Sequence, residues 1–508
     1  MKKALPVGVE NFEDMVKSGY YYVDKTMFIK ELLDMKGKVN LFTRPRRFGK
    51  TLNLSMLRYF FEDTGNVEKN GQNKELFRGM KIMDAGEEYT SHLGQYPVIF
   101  LSLKSAKQPT FEMAYQSLAD EIMKEFERHH YVLSDGNMFP AKREKYMKLL
   151  EGKADEIDYA KAIAFLSECL EQYHGKKVII LIDEYDVPLE NSYFEGFYEQ
   201  MIKFIRSLSE SALKTNESLE FAVITGCLRI SKESIFTGLN NLEIISFLNK
   251  QYAESFGFTQ TEVEQMLEYY EIVQKKQEIK DWYDGYLFGN AEVYNPWSVI
   301  NYVKTAVSDE EAFPKPYWSN TSSNSIIREL VEGADSDVKD EIESLIAGGS
   351  IEKQIHEDIT YGDIHQSQDN LWNFLFFTGY LKAVSQRFEE DTIYQTMKIP
   401  NAEIRYIYRN TIREWFEQKI KVGDFTPMYR AVLGGEADVF ERMLKEQLAG
   451  SISYFDSEED FYHGFLLGLL RPLQNYKTLS NRESGNGRPD IVLKPYDEQK
   501  AAVVLELK

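Results

Sequence analysis

Five short apolar runs recur through the first 250 residues, and segments with helical patterning separate them. Three of these runs are continuous and rich in β-branched residues, which is typical of strands buried on both faces. Such alternation predicts an α/β fold in which helices cover both faces of a parallel sheet. We expect strands at residues 39–43, 97–101, 178–182, 221–225 and 244–247, and helices that include 111–128 and 194–208.

Length and composition narrow the class of protein. A chain of 508 residues is longer than one hydrophobic core organises, so several domains are expected. No run of about 18 apolar residues predicts a membrane span, and no apolar segment follows the N-terminal lysines as a secretory signal requires. The two cysteines, Cys169 and Cys227, provide neither a disulfide framework nor a zinc site, which favours a reducing, cytoplasmic setting.

The net charge constrains the partners of the chain. It is -21 at pH 7, whereas a general binder of nucleic acids presents a basic surface. A local basic groove stays compatible with this charge. Any contact with nucleic acid must therefore be confined and helped by metal ions.

A basic turn follows the first predicted strand. Residues 44–51 read Arg-Pro-Arg-Arg-Phe-Gly-Lys-Thr, which resembles the P-loop pattern G-x-x-x-x-G-K-[ST] with Arg44 at the first glycine. In such a loop Lys50 reaches the β- and γ-phosphates, and Thr51 offers its hydroxyl to Mg²⁺. The positive end of the next helix faces the anion. The alternative is an ordinary basic turn. The predicted nucleotide-binding residues of the loop are Arg46, Arg47, Phe48, Gly49, Lys50 and Thr51.

An acidic pair ends the third predicted strand. The apolar run 178–182 is followed by Asp183 and Glu184, which is the Walker B pattern. Asp183 at this position can hold Mg²⁺ through water, and Glu184 can polarise the attacking water as a general base. The alternative is a buried strand that ends in a solvated acidic turn. The strand, Gly-Lys-Thr and helix upstream favour the nucleotide-binding interpretation.

Longer stretches resemble the bacterial AAA-ATPase-like family. They are LPVG (5–8), YVDKT (22–26), RPRRFGKT (44–51), LIDEYDVPL (181–189), TGCLRISKESIFTGLNNL (225–242), WYDGYLFG (282–289) and VYNPWSV (293–299). The form RPRRFGKT is usual in that family, so Arg44 fits it. The resemblance implies that residues 22–26 lie near the nucleotide base. It also implies that Thr225 senses the γ-phosphate and that Arg229 is a further candidate for stabilising transferred charge.

The last residues predict two strands joined by a hairpin, with Pro-Asp on the first strand and Glu-x-Lys on the second. This resembles the core of the PD-(D/E)XK nucleases. Asp490 and Glu506 would meet across the strands and bind Mg²⁺, while Lys508, on the same face as Glu506, would orient water or balance charge. Glu483 and Glu459 are additional candidate ligands. The alternative is a surface hairpin with ordinary charges.

These observations predict three regions. They are an AAA-like P-loop ATPase domain at 1–250, a helical lid and middle region at 251–400, and a restriction-endonuclease-like module at 401–508. The family's nuclease core continues beyond the Glu-x-Lys strand, so we expect the module to be incomplete at its end. In the middle region, Thr259 and Glu262 predict a capping box, and residues 371–381 predict an apolar helix with a turn at Gly379. The architecture of 306–400 stays open.

The predicted function combines these regions. We expect ATP and Mg²⁺ to serve an ATPase whose conformational cycle controls a DNA-directed nuclease module. The rival interpretation is a nucleotide-gated switch or interaction protein with an inactive nuclease-like fold. DNA is the partner that the resemblance implies, and no membrane partner is expected. The sequence leaves the physiological substrate, the pathway and the oligomeric state open, with an oligomer among the options.

Overall fold

The computed structural model describes most of the chain. The described residues are 2–228, 235–236, 239–320, 327, 336–355, 367–422, 425–449, 466, 470, 473, 475–480, 490–497 and 499–506. They form two compact units. Unit 1 contains Met1–Asn320, Lys353–Gln395 and Pro400–Glu403, and unit 2 contains Thr321–Glu352, Thr396–Ile399 and Ile404–Lys508. The three-region division remains a prediction.

A five-stranded parallel sheet forms the centre of unit 1. Its strands are β1 (Val39–Thr43), β2 (Val98–Ser102), β3 (Val178–Asp183), β4 (Leu219–Gly226) and β5 (Leu242–Ile245), in the order β2-β3-β4-β1-β5. β1 and β3 are buried along their whole length, as expected for strands covered on both faces. The predicted α/β fold with a parallel sheet is confirmed, with strand ends that differ by a few residues.

Helices connect these strands. They are α1 (Phe12–Lys17), α2 (Met27–Met35), α3 (Lys50–Phe61), α4 (Val67–Glu75), α5 (Glu87–Thr90), α6 (Phe111–Arg128), α7 (Pro140–Leu150), α8 (Glu156–Ala160), α9 (Ala162–His174), α10 (Val187–Glu195) and α11 (Tyr198–Ser209). The predicted helix 111–128 is confirmed, and Thr110 caps it by accepting from the N–H of Met113. The predicted helix 194–208 is wrong at its start, because Gly196 ends α10 in the left-handed region at φ 84°.

A smaller antiparallel sheet lies within the helical middle region. Its elements are β6 (Phe258–Thr259), α12 (Gln260–Tyr270), α13 (Lys276–Tyr283), β7 (Tyr286–Phe288), β8 (Ala291–Tyr294) and α14 (Pro296–Ser308), with the strand order β6-β8-β7. The capping box of Thr259 and Glu262 is confirmed at the start of α12. Short 3₁₀ segments occur at Lys81–Asp84, Lys104–Ala106, His130–Ser134, Val273–Lys275 and Trp318–Asn320, and a π-helical turn at Glu210–Lys214.

The remaining elements mix helices with two further sheets. They are α15 (Ser336–Ile346), β9 (Ile351–Gln354), α16 (Gln368–Phe377), β10 (Lys382–Glu389), β11 (Thr392–Lys398), α17 (Ala402–Val422), α18 (Thr426–Gly434), α19 (Ala437–Ala449), β12 (Tyr476–Ser480), β13 (Ile491–Pro495) and β14 (Val503–Leu505). The strand orders are β10-β11-β9 and β12-β13-β14. α16 and the left-handed Gly379 after it confirm the predicted apolar helix and its turn.

The structure also describes the two cysteines and the polarity of the long helices. Both Cys169 and Cys227 are free thiols in the structure. Across the described ranges, the helices that reach the length of a bilayer span are too polar to cross one.

Candidate nucleotide and metal sites

The connection from β1 to α3, here called the 44–51 loop, has the backbone shape of an anion site. Arg47 and Gly49 are both left-handed, with φ of 71° and 84°, and Gly49 is the N-cap of α3. Left-handed residues within a turn direct successive N–H groups toward one point, which makes a concavity for an anion. The positive end of the α3 dipole adds to this field. The loop can therefore cradle a phosphate.

Lys50 is folded against its own loop. Its Nζ donates to the carbonyl oxygens of Arg44 at 2.8 Å and Pro45 at 2.9 Å, and lies 3.6 Å from Sγ of Cys227. Only 6% of the residue is exposed. The ammonium group is thus held against the carbonyl oxygens at the beginning of the 44–51 loop.

Three predicted site residues meet at the carboxyl end of the parallel strands. The Thr51 hydroxyl donates to Oδ2 of Asp183 at 2.7 Å, and the Thr225 hydroxyl donates to Oδ1 at 2.6 Å. Asp183 and Thr225 are fully buried. Burial raises the pKa of Asp183, while the bonds from Thr225 and Thr51 act in the opposite direction. Hydroxyl and carboxylate oxygens at this spacing are the donor type that Mg²⁺ takes, so these residues fit the ion.

The residues after Asp183 turn sharply. Glu184 has a left-handed backbone, with φ 53°, and is half-buried. Burial raises the pKa of its carboxyl group most, and the negative charge of the neighbouring Asp183 raises it further. Asp186, which the sequence reasoning did not assign, is buried and accepts from the N–H of Cys227 at 2.7 Å and of Leu228 at 3.2 Å. It thereby ties the end of β4 to the end of β3. The one sequence feature that could have indicated Asp186 is its position three residues after Asp183.

Arg44 anchors the beginning of the 44–51 loop in the protein core. The fully buried Arg44 donates to the carbonyl oxygens of Thr43 and Ile245, both at 2.9 Å. Burial lowers the pKa of Arg44 to about 9. Its guanidinium lies between the rings of Phe256 and Phe288, at 5.1 and 5.2 Å from their centroids. The loop therefore uses an arginine, where the general pattern has glycine, as a structural core residue.

Phe48 is held by the small sheet of the middle region. Its ring lies 4.9 Å from that of Tyr286 and 5.1 Å from that of Phe288. Because the Phe48 side chain is buried in this cluster, a contribution to phosphate binding would come from its backbone.

The two remaining loop arginines have separate partners. Arg46 forms an ion pair with Glu190 of α10, and its carbonyl oxygen accepts from Nε1 of Trp318 at 3.3 Å. The Arg47 guanidinium lies 4.4 Å from the ring centroid of Trp297 in α14. The Arg47 guanidinium also lies 3.8 Å from the carboxylate of Glu10. Both arginine side chains are about one-third exposed, at 32% and 34%.

Residues 22–26, the segment expected near the nucleotide base, pack beside α3. The Tyr22 hydroxyl lies 3.5 Å from Sδ of Met56 in α3. Lys25 forms a 2.6 Å ion pair with Glu262 and donates to the carbonyl of Glu254 at 2.7 Å. The segment is therefore fixed between α3 and the residues around α12, and its role at the base remains a prediction.

The C-terminal strands place two predicted ligands in register. β13 and β14 are antiparallel, with Ile491 opposite Leu505 and Leu493 opposite Val503. Asp490 precedes the first of these pairs and Glu506 follows it, so continuing the same register by one residue would set them opposite each other. Directly opposed residues share one face of an antiparallel pair. The predicted hairpin is confirmed, and β12, which pairs with β13, was not predicted.

Several predicted site residues lie outside the described part of the chain. They are Arg229, Glu459, Glu483 and Lys508. Among the residues that are described, no group of three or more His, Cys, Asp and Glu side chains has the arrangement of a metal site. The metal-binding roles of Asp490 and Glu506 thus remain predictions.

Comparisons with protein families support both halves of this picture. Residues 6–236 match the family described as "Predicted AAA-ATPase". The matched segment contains the 44–51 loop, Asp183 and Thr225. Residues 457–508 match the PD-(D/E)XK nuclease superfamily, which contains Asp490 and Glu506. Together the matches support a fusion of an AAA-ATPase-like domain with a PD-(D/E)XK nuclease superfamily module.

One curated protein is similar to this chain over much of its length. The "Uncharacterized protein in vnfD 5'region" of Azotobacter chroococcum mcd 1 is 27% identical over 336 residues. The alignment covers 65% of the present chain and 56% of that relative. The present chain thus spans little more than half of the relative's length.

Proposed function

We propose that unit 1 binds ATP with Mg²⁺ at the 44–51 loop and hydrolyses it. The observation that carries this proposal is the hydrogen-bonded series from Thr51 through Asp183 to Thr225, beside the buried ammonium of Lys50. Two strand ends and a helix start supply these groups, and a purely structural acidic turn does not need that arrangement.

Each residue then has a chemical task. The loop N–H groups and Lys50 bind the β- and γ-phosphates, and Thr51 and Asp183 would hold Mg²⁺. When bound, the ion supplies positive charge to the phosphate oxygens. Glu184 accepts a proton from water as the water oxygen bonds to the γ-phosphorus and the bond to the bridging oxygen of ADP breaks. Thr225 reports the terminal phosphate through its bond to Asp183.

For the C-terminal module we propose metal-dependent cleavage of DNA, controlled by the ATPase cycle. The register of β13 and β14 ends at Ile491 and Leu505, and its continuation by one residue, which would pair Asp490 with Glu506, supports a shared divalent ion. One or two ions at such carboxylates would activate water and stabilise the leaving oxygen. The net charge of -21 fits a short, metal-assisted contact with DNA better than an extended one. A cytoplasmic location suits both substrates.

One experiment tests both activities. Purified protein is incubated with supercoiled DNA and Mg²⁺, with and without ATP, while phosphate release is followed in parallel. We expect phosphate release in the presence of Mg²⁺ and nicking that changes with ATP. Phosphate release without nicking would favour the nucleotide-gated switch. Absence of phosphate release by the wild type would end the proposal that unit 1 hydrolyses ATP.

A further inference from the structure

We propose that Trp318, held in place by Glu403, is a positioning residue for the phosphate-binding 44–51 loop. The proposal rests on the proposed nucleotide site and adds a part of the chain that the ATPase family match, which ends at residue 236, does not include. It assigns a role to residues near the end of unit 1.

The contacts run in one direct series. Nε1 of Trp318 donates to the carbonyl oxygen of Arg46 at 3.3 Å. The backbone N–H of the same tryptophan donates to Oε1 of Glu403 at 2.9 Å. The Ser298 hydroxyl donates to the Glu403 carboxylate, 3.0 and 2.8 Å from its two oxygens. Ser298, Glu403 and Trp318 thus form a continuous hydrogen-bonded bridge to Arg46 in the loop.

The peptide bond converts this carbonyl contact into control of a donor. In a planar trans peptide, the C=O of one residue and the N–H of the next point in opposite directions. Fixing the Arg46 carbonyl toward Trp318 therefore fixes the Arg47 N–H toward the other side of the loop. That N–H belongs to the left-handed residue of the anion-binding turn.

The loop needs such a restraint. A left-handed residue other than glycine is disfavoured, by roughly 1–2 kcal/mol, and Arg47 is one. Pro45 has no N–H, so the cradle depends on the donors that follow it. Two tryptophans supply the restraint: Arg47 packs on Trp297, and Trp318 donates to the carbonyl oxygen of the adjacent Arg46.

Glu403 is built to hold Trp318 rather than to meet solvent. Glu403, Ser298 and Trp318 are all essentially fully buried. A buried carboxyl group is costly unless it is hydrogen-bonded, so its position is strongly set by these donors. Removing the carboxylate would release the Trp318 backbone and, with it, the orientation of the indole.

The test compares two buried tryptophans of unit 1. Trp318→Phe removes the indole N–H that binds Arg46 and keeps an aromatic ring. Trp372→Phe is the matched control, because Trp372 is equally buried and its Nε1 makes no hydrogen bond within the described residues. Binding of a fluorescent ATP analogue and steady-state hydrolysis are measured for both, with circular dichroism to verify folding.

We expect Trp318→Phe to weaken analogue binding about fivefold, which corresponds to the loss of roughly one hydrogen bond, that of the Arg47 N–H to phosphate. Trp372→Phe should stay within about twofold of wild type. The Arg47 N–H meets phosphate in the ground state and in the transition state alike. KM should therefore rise while kcat changes little, whereas damaged folding would lower kcat through the active fraction. Equal binding by the two variants would overturn the proposal.

A second pair of variants tests Glu403. Glu403→Gln keeps an oxygen that can accept from Trp318 and should bind the analogue more tightly than Glu403→Ala. Ser298→Ala should raise KM. Its control is Ser167→Ala, a buried serine of α9 whose hydroxyl donates to the carbonyl oxygen of Ile163 and accepts from Asn216, away from the loop-binding series. If Glu403→Ala does not fold, the Gln and Ser298 variants still decide. Wild type that binds no analogue would instead refute the nucleotide site itself.

Discussion

The hydroxyl of Thr51 lies 2.7 Å from the carboxylate of Asp183, although 132 residues separate the two in the chain. β1 and β3 are not neighbours in the sheet, since β4 lies between them. The carboxyl ends of all three parallel strands nevertheless reach one edge, so the loop after β1 and the acid at the end of β3 meet there. This contact joins the two motifs that the proposed ATPase needs.

Replacing Lys50 with alanine should remove most nucleotide binding. The variant loses a charged donor at the loop, and a hydrogen bond to a charged group contributes about 1.5–3 kcal/mol, roughly a tenfold to hundredfold change in Kd. Titration of a fluorescent ATP analogue measures it. Lys124→Ala on the exposed side of α6 is the control and should bind as wild type. Tight binding by Lys50→Ala would contradict the assignment of the loop.

Glu184→Gln should retain ATP binding and lose turnover. A positioned general base contributes about 10²- to 10⁴-fold to rate, and the amide cannot take the proton from water. Phosphate release and analogue binding are compared in the same preparation. Glu195→Gln, an exposed glutamate at the end of α10, is the control. Hydrolysis at the wild-type rate would show that another residue is the base.

The parts of the site that local pattern encodes were predictable. The continuous apolar run of β3 followed by Asp183, and the Gly-Lys-Thr at the start of α3, lie within a few residues of the strands that place them. The bond between Trp318 and Arg46 was not predictable, because it depends on tertiary packing between distant segments. β6, β7 and β8 have two to four residues each, too few to show a strand period.

Arg44 illustrates a different limit. Sequence reasoning could treat it only as a departure from the P-loop glycine or as usual for the family. Its role as a buried cation between two aromatic rings requires Phe256 and Phe288, which lie far along the chain. A basic residue type gives no local signal that it will be fully buried.

Glu403 should make stability depend on pH. Burial raises its pKa to about 8, whereas an unfolded glutamate titrates at about 4.3. Between these values the folded state keeps a proton that the unfolded state releases, so rising pH favours unfolding, and the effect ends above the folded pKa. The thermal midpoint of wild type minus that of Glu403→Gln should fall from about pH 5 to about pH 8 and then level off. A constant or rising difference would contradict a buried carboxyl with a raised pKa.

Gly379→Ala should disturb the 44–51 loop in addition to straining the backbone. A Cβ at Gly379 would lie 2.9 Å from Cβ of Pro45, closer than carbon atoms approach, and φ there is 94°. Gly348→Ala is the matched control, since its φ is 93° and nothing lies within 4 Å of its Cβ position. Both variants should lose stability, by roughly 1–2 kcal/mol, through the left-handed backbone. Gly379→Ala alone should also weaken binding of the ATP analogue, and equal binding would show that Pro45 tolerates the displacement.

Asp490→Asn and Glu506→Gln should each abolish Mg²⁺-dependent nicking of supercoiled DNA. Continued by one residue, the register of β13 and β14 would set these residues opposite each other, on the opposite face from Ile491, which is fully buried. Two carboxylates in such positions repel unless a cation lies between them, so each is expected to contribute to one ion site. Either neutral substitution removes a charged ligand and leaves the shape of the side chain nearly unchanged.

The same two variants should bind and hydrolyse ATP as wild type, because they lie in unit 2 and the nucleotide site lies in unit 1. Asp497→Asn is the matched control: this aspartate is exposed in the hairpin turn between β13 and β14, so its loss should leave nicking unchanged. Lys50→Ala should keep metal-dependent cleavage at a rate that no longer responds to ATP. Nicking by Asp490→Asn at the wild-type rate would refute the metal assignment. Nicking by wild type that ignores ATP would refute the coupling and leave the cleavage chemistry intact.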